Sequence, residues 1–150
     1  VINADVFYGY DAFRVLSEAL DDASYNEYVM VAYKVCNTIT LTGSVKRGVC
    51  QVEDGYLKGI DESVIEVIDD KIHKTSMITG DASVMDKDTL VSMNLFGFKS
   101  NFIIGLTLYI IGIFPYIGFL TCNFLRAIQR IFKVALCNTS IGNIVVLIEP

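Results

Sequence analysis

Few residues in this chain combine a reactive side chain with a suggestive position, and Asp5 is the first of them. It closes the apolar run Val1-Ile2-Asn3-Ala4 and precedes Val6-Phe7-Tyr8-Gly9. At the carboxyl end of a strand in an open α/β sheet, a carboxylate can hold a divalent metal, and the metal can neutralise phosphate charge. The same residue type is also a frequent cap on a loop or on the next helix. Lys46 and Arg47 could meet phosphate, although two adjacent basic residues beside a strand usually face water. Glu62, Glu66, Asp69 and Asp70 lack the spacing and glycine of a calcium-binding loop and read as a solvated acidic surface. His73 is the only histidine and sits in the polar stretch Asp70-Lys71-Ile72-His73-Lys74, which reads as solvated. Cys36, Cys50, Cys122 and Cys137 contain no CxxC pair, so neither a compact zinc site nor a small disulfide scaffold is favoured. Cys36 and Cys50 read as reduced thiols of a cytoplasmic protein, Cys50 as a small core residue.

Positioning such residues requires a folded scaffold, and the composition supplies one. The chain has 150 residues, of which 53% are hydrophobic and 19% charged. That suits a single globular domain and excludes a disordered or collagen-like chain. A net charge of -5 argues against coating nucleic acid. The charge is unevenly spread. Residues 1–98 are acidic overall, whereas after Lys99 the only charged residues are Arg126, Arg130, Lys133 and Glu149. Two segments, 1–98 and 99–150, are therefore read separately. The chain opens without methionine in an apolar run and shows no signal peptide, which reads as an internal fragment of a longer protein.

Val1 to Asp5 reads as a short buried strand, and Ala12, Phe13, Leu16, Ala19 and Leu20 recur at helical spacing from about Asp11 to Asp22. Tyr28 to Val35 is a nearly continuous apolar run, as expected of a strand covered on both faces. Strand, helix and strand in succession predict a βαβ unit and a parallel sheet. Asp54-Gly55 between Arg47–Val52 and Tyr56–Ile60 predicts a hairpin. Asn37 to Ser44 reads as a loop, Val64 to Asp88 as irregular acidic surface, and Leu90 to Phe98 as a mostly buried strand.

Four stretches carry a resemblance when taken in order: Val1 to Gly9, Gly43 to Cys50, Asp54 to Leu57, and Val91 to Phe98. Together they resemble the sugar-nucleotide nucleotidyltransferases, also called the NTP-transferase or nucleotide-diphospho-sugar pyrophosphorylase family. The resemblance implies a Rossmann-like α/β/α sandwich with a mixed sheet over residues 1–98. It also implies joining of a nucleoside triphosphate to a sugar 1-phosphate or similar phosphate, with release of pyrophosphate. By the same resemblance Asp5 looks like the ligand of a catalytic magnesium, and Gly48 like the glycine whose backbone approaches the sugar. Glu62 looks like a Glu that hydrogen-bonds sugar hydroxyls, and Asn94 like an Asn that contacts the same sugar. Nucleotidyl transfer needs charge neutralisation and in-line positioning more than a protein nucleophile, because the substrate phosphate attacks. The sequence departs from the family pattern in several places. Asp5-Val6 stands where the family has two acidic residues, Ser63 where a basic residue often follows the Glu, and Phe96 where Trp is expected. The family's Gly-rich nucleotide loop and its second metal ligand have no counterpart, so the chain alone is expected not to turn over.

Phe102 to Leu125 carries no charge and is long enough for a membrane helix, with Arg126, Arg130 and Lys133 on its cytoplasmic side. Pro115 and Gly105, Gly112 and Gly118 would bend such a helix. Three readings of this apolar, helical-looking tail stand: out-of-frame or degenerate text, a genuine membrane segment, or buried core helices. The alternative functional reading that follows is a non-enzymatic, membrane-tethered α/β binding module.

Overall fold

The computed structural model describes residues 1–24, 27–40, 42–100 and 143–148. The expected membrane segment 102–125 lies outside the described residues. Among those described, no helix is long and apolar enough to cross a membrane. One helix, α1 (Ala12–Asp22), precedes strands β1 (Glu27–Lys34), β2 (Ser44–Glu53), β3 (Tyr56–Ile68), β4 (Lys71–Ser76), β5 (Ala82–Met85), β6 (Leu90–Gly97) and β7 (Asn143–Ile148).

β1 is the centre of the fold. Tyr28, Val29, Met30, Val31, Ala32 and Tyr33 are all buried, as the aromatic and β-branched run predicts for a strand covered on both sides. It pairs antiparallel with β6 and parallel with β7. β2 pairs antiparallel with β3 from Ser44↔Glu66 to Glu53↔Tyr56, and with β6 at Gly48↔Ser92 and Val49↔Val91. β3 meets β7 at Tyr56↔Val145. The order β2-β6-β1-β7-β3 thus returns to β2 and closes a five-stranded barrel, with β4 and β5 continuing from β3 as an antiparallel extension.

Two apolar clusters hold it. All five barrel strands send residues to the first: Tyr28, Met30 and Ala32, with Phe96, Cys50, Leu57, Ile60 and Val146. This is the barrel interior. The second lies on the outer face of β1 and β6, where Val29, Val31, Tyr33, Val91 and Leu95 pack with Ala12 and Leu16 of α1. Gly97 permits that approach, because a β-carbon there would come within 2.6 Å of Leu20 Cδ1 and 3.0 Å of Leu16 Cδ1. The opposite face of α1 is polar, with Arg14 paired to Asp11 and Glu18.

The Rossmann-like α/β/α sandwich implied by the resemblance is not the fold. One described helix covers one face, the other face closes on itself, and every ladder except β1–β7 is antiparallel. The βαβ expectation fails at its first element. Val1 to Asp5 is not a strand, and Val1 and Ile2 are exposed, although Val1 and Phe96 exchange backbone hydrogen bonds of 2.7 and 3.0 Å. The stretch Val64–Asp88, expected to be irregular, holds the end of β3, all of β4 and β5. The tail is not wholly helical either, since β7 is a strand of the same sheet. The expected hairpin is present and longer than anticipated. Asp54 and Gly55 take φ values of 52° and 79°, the left-handed pair that a tight two-residue hairpin turn needs.

Candidate functional site

Three of the four residues singled out from the resemblance fall on neighbouring strands. Gly48 on β2 stands opposite Glu62 on β3 and, on its other side, opposite Ser92 on β6. A β-carbon at Gly48 would lie 2.5 Å from Ile60 Cγ2, 3.4 Å from Glu62 Oε1 and 3.6 Å from Ser92 Cβ. No side chain fits there. The bare backbone leaves the Glu62 carboxylate lying against the strand.

Asn94 reaches the same neighbourhood through a bulge. In the β1–β6 ladder, Val31 pairs with Leu95 but the next residue, Ala32, pairs with Ser92. Met93 and Asn94 are left without partners in β1, which is the defining feature of a bulge. Asn94 adopts φ 67°, a left-handed conformation that Asn tolerates better than most residues. Its amide N–H donates to Ser92 Oγ at 3.1 Å. Ser92, buried at 4% exposure, therefore links Asn94 to Gly48. Ser92 escaped the sequence reading, and the available signal was a hydroxyl inside the apolar run Val91-Ser92-Met93.

Cys50 lies next along the same face. Burial, with the Glu62 charge adding to it, pushes its thiol up to about 12. It donates weakly to the Gly48 carbonyl at 3.6 Å. A thiol so held remains protonated and is no nucleophile at neutral pH.

Asp5 sits apart from this cluster, exposed in the Ala4–Asp5 turn. The turn is nevertheless moored to β6. The Asn3 N–H donates to Tyr8 Oη at 2.7 Å, and Tyr8 Oη donates to the Met93 carbonyl at 3.0 Å. With the Val1–Phe96 exchange, the moorings fall on both sides of Asn94. Among the described residues, no three of His, Cys, Asp and Glu gather closely enough to hold a metal ion. Asp5 offers a single carboxylate.

The remaining candidates disperse. Glu66 faces Ser44 and His73 in the ladders, whereas Asp69 and Asp70 form the β3–β4 turn with φ 50° and 59°. Arg47 makes no phosphate patch with Lys46. Its guanidinium donates to the Thr38 and Lys46 carbonyls at 2.8 and 2.9 Å, and burial holds its pKa below the ordinary value. On the other face of β3 lies an open cleft of about 490 Å³ bordered by Gln51, Gly59, Asp61, Lys74 and Ser76. Asp61 there accepts hydrogen bonds from Ser76 Oγ at 2.7 Å, Ser63 Oγ at 3.3 Å and Lys74 Nζ at 3.5 Å. The Ser76 hydroxyl is the main reason its carboxyl sits below the usual range. Ser76 Oγ in turn accepts from the Ile78 and Thr79 amides, so these groups brace the β4–β5 turn.

A comparison with models of known protein families finds none that matches the chain, and a comparison with curated proteins finds no match either.

Proposed function

We propose that the chain carries the sugar-phosphate side of a nucleotidyl-transfer site, built on a barrel wall. The observation that carries this reading is that Gly48, Glu62 and Ser92 lie side by side on three hydrogen-bonded strands, with the Asn94 backbone N–H bonded to Ser92 Oγ. The chemistry of the group suits a hydroxylated ligand. The Glu62 carboxylate can accept hydrogen bonds from hydroxyls, and the Asn94 side-chain amide both donates and accepts.

In the reaction, an oxygen of the sugar phosphate forms a bond to the α-phosphorus of a nucleoside triphosphate. The bond to the bridging oxygen breaks, and pyrophosphate leaves with the electron pair. This chain's residues orient the attacking phosphate through its sugar and supply no covalent intermediate, consistent with the protonated Cys50. By the resemblance Asp5 is the residue that would hold magnesium, through its one exposed carboxylate. When bound, the ion supplies charge neutralisation.

Calorimetric titration with hexose 1-phosphates in magnesium tests the reading. The expected result is saturable binding that Glu62→Gln and Asn94→Ala each weaken about tenfold or more, the scale of a lost hydrogen bond to a charged partner. The 150-residue chain alone is expected to release no pyrophosphate, because its sequence has no Gly-rich triphosphate loop. Absence of binding by any hexose phosphate, or affinities unchanged in both variants, contradicts the proposal.

A further inference from the structure

We infer that β5 is a pairing edge for a second copy of this chain, the two β5 strands running antiparallel about a two-fold axis at Val84. The inference uses none of the residues of the sugar-phosphate reading and stands or falls apart from it.

β5 ends the strand order β2-β6-β1-β7-β3-β4-β5, and no described strand covers its far side. Its ladder with β4 runs from Ile72↔Met85 to Thr75↔Ala82. Just beyond, the Asp81 carbonyl accepts the Ser76 N–H at 2.9 Å, so the Asp81 backbone faces β4. Backbone direction alternates along an antiparallel strand. Ser83 and Met85 therefore face β4 as well, whereas Ala82 and Val84 turn their N–H and C=O groups outward. Such a row is an open template for another strand. Val84 is 58% exposed beside it.

The outward groups and the charges at the two ends of β5 select the occupant. A two-fold axis at Val84 bonds Val84 to its own copy and Ala82 to the partner's Asp86. The same register sets Asp81 opposite the partner's Lys87, twice over. Neither Asp81 nor Lys87 takes part in a salt bridge among the described residues. A register shifted by two residues sets Asp81 against the partner's Met85 or the partner's Thr89 and loses both charge pairs. Lys87 is exposed, in the turn that the Thr89 N–H closes on the Asp86 carbonyl at 3.1 Å, and its flexible four-carbon stem spans the offset. A four-residue strand offers a foreign peptide few backbone bonds. A two-fold contact uses each bond twice and closes at two copies, so it does not grow into a fibre. The contact is small beside the roughly 1,200 Å² of a standard interface, which makes the association weak and reversible.

Sedimentation of the full chain from about 10 µM to about 1 mM tests the pairing. A monomer–dimer equilibrium that weakens with added salt is expected. Val84→Pro removes an outward N–H and leaves the β4 ladder intact, as proline does on an edge strand. It should weaken the dimer at least tenfold with an unchanged circular dichroism spectrum. Asp81→Lys and Lys87→Asp should each weaken it as much, because each sets like charges opposite one another. Mixed in equal amounts, these two single variants should form a heterodimer of near wild-type strength, since each supplies the charge the other lacks. A chain that stays monomeric at the highest concentration overturns the inference. Dimers that survive Val84→Pro, or single variants that fail to recover on mixing, place the contact elsewhere and overturn it too.

Discussion

Gly48 and Glu62 stand opposite each other in the β2–β3 ladder, so close that a β-carbon on the glycine would lie 3.4 Å from the Glu62 carboxylate. The tighter contact is with Ile60, at 2.5 Å, and it makes the position sensitive. Ile60 branches at its β-carbon and has little rotamer freedom to retreat. Gly48→Ala is expected to destabilise the protein by about 1–3 kcal/mol through overpacking, measured by urea unfolding. The loss should shrink in an Ile60→Leu background, which moves the offending methyl; equal losses in both backgrounds would show that the crowding is not the cause.

The α1 interface behaves differently. Leu16 lies over Gly97 on the outer face of β6 and is 9% exposed. Leu16→Ala is expected to cost about 2–5 kcal/mol. Gly97→Ala should cost less than Gly48→Ala, because the atoms it meets are the mobile ends of Leu16 and Leu20. Thermal unfolding of the three variants orders them.

Acid should loosen the β3–β4 extension. Ser76, then Lys74 and Ser63, hold the Asp61 carboxyl below its ordinary pKa. A carboxyl depressed in the folded state adds stability above its unfolded pKa of about 3.9, and that stability drains away as pH falls through the lower folded value. Wild type is therefore expected to lose stability below about pH 4. Ser76→Ala, already weaker at neutral pH, should lose less on acidification. Unfolding midpoints between neutral pH and pH 3 check the sign, and parallel acid profiles for the two proteins contradict it.

Cys50 and Cys36 should differ sharply in reactivity. Cys36 is exposed, whereas burial and the Glu62 charge push Cys50 up to about 12. Peptide mapping after brief alkylation at pH 8 is expected to find Cys36 modified and Cys50 intact. Glu62→Gln should lower the pH at which Cys50 begins to react in the folded protein.

The parts of this fold legible in the sequence are those whose cause is local. The β1 run, the α1 periodicity and the Asp54-Gly55 turn each carry their signal within a few residues. β4 is hidden by its composition: Lys71, His73, Lys74 and Thr75 suit a half-solvated strand between β3 and β5 but break the hydrophobic alternation that marks strands. Asp69-Asp70 turns the chain as Asp-Gly would, without the glycine that announces it. Val1-Ile2 misled in the opposite direction, being apolar and yet exposed. Barrel closure rests on Gly48↔Ser92 and Tyr56↔Val145, pairings between distant segments that no window of sequence contains. Gly48, Glu62 and Asn94 entered through family resemblance and not through spacing. Gly48 and Glu62 meet through the β2–β3 register, and the place of Asn94 is set by the bulge in the β1–β6 register.

Amide chemical-shift mapping during titration of the full chain with glucose 1-phosphate in magnesium tests most directly whether the Gly48–Glu62 face binds a sugar phosphate. Saturating shifts concentrated at Gly48, Glu62, Ser92 and Asn94 are expected, with at least a tenfold weaker midpoint in Glu62→Gln. Shifts confined to other strands, or a Glu62→Gln midpoint equal to that of wild type, would contradict it.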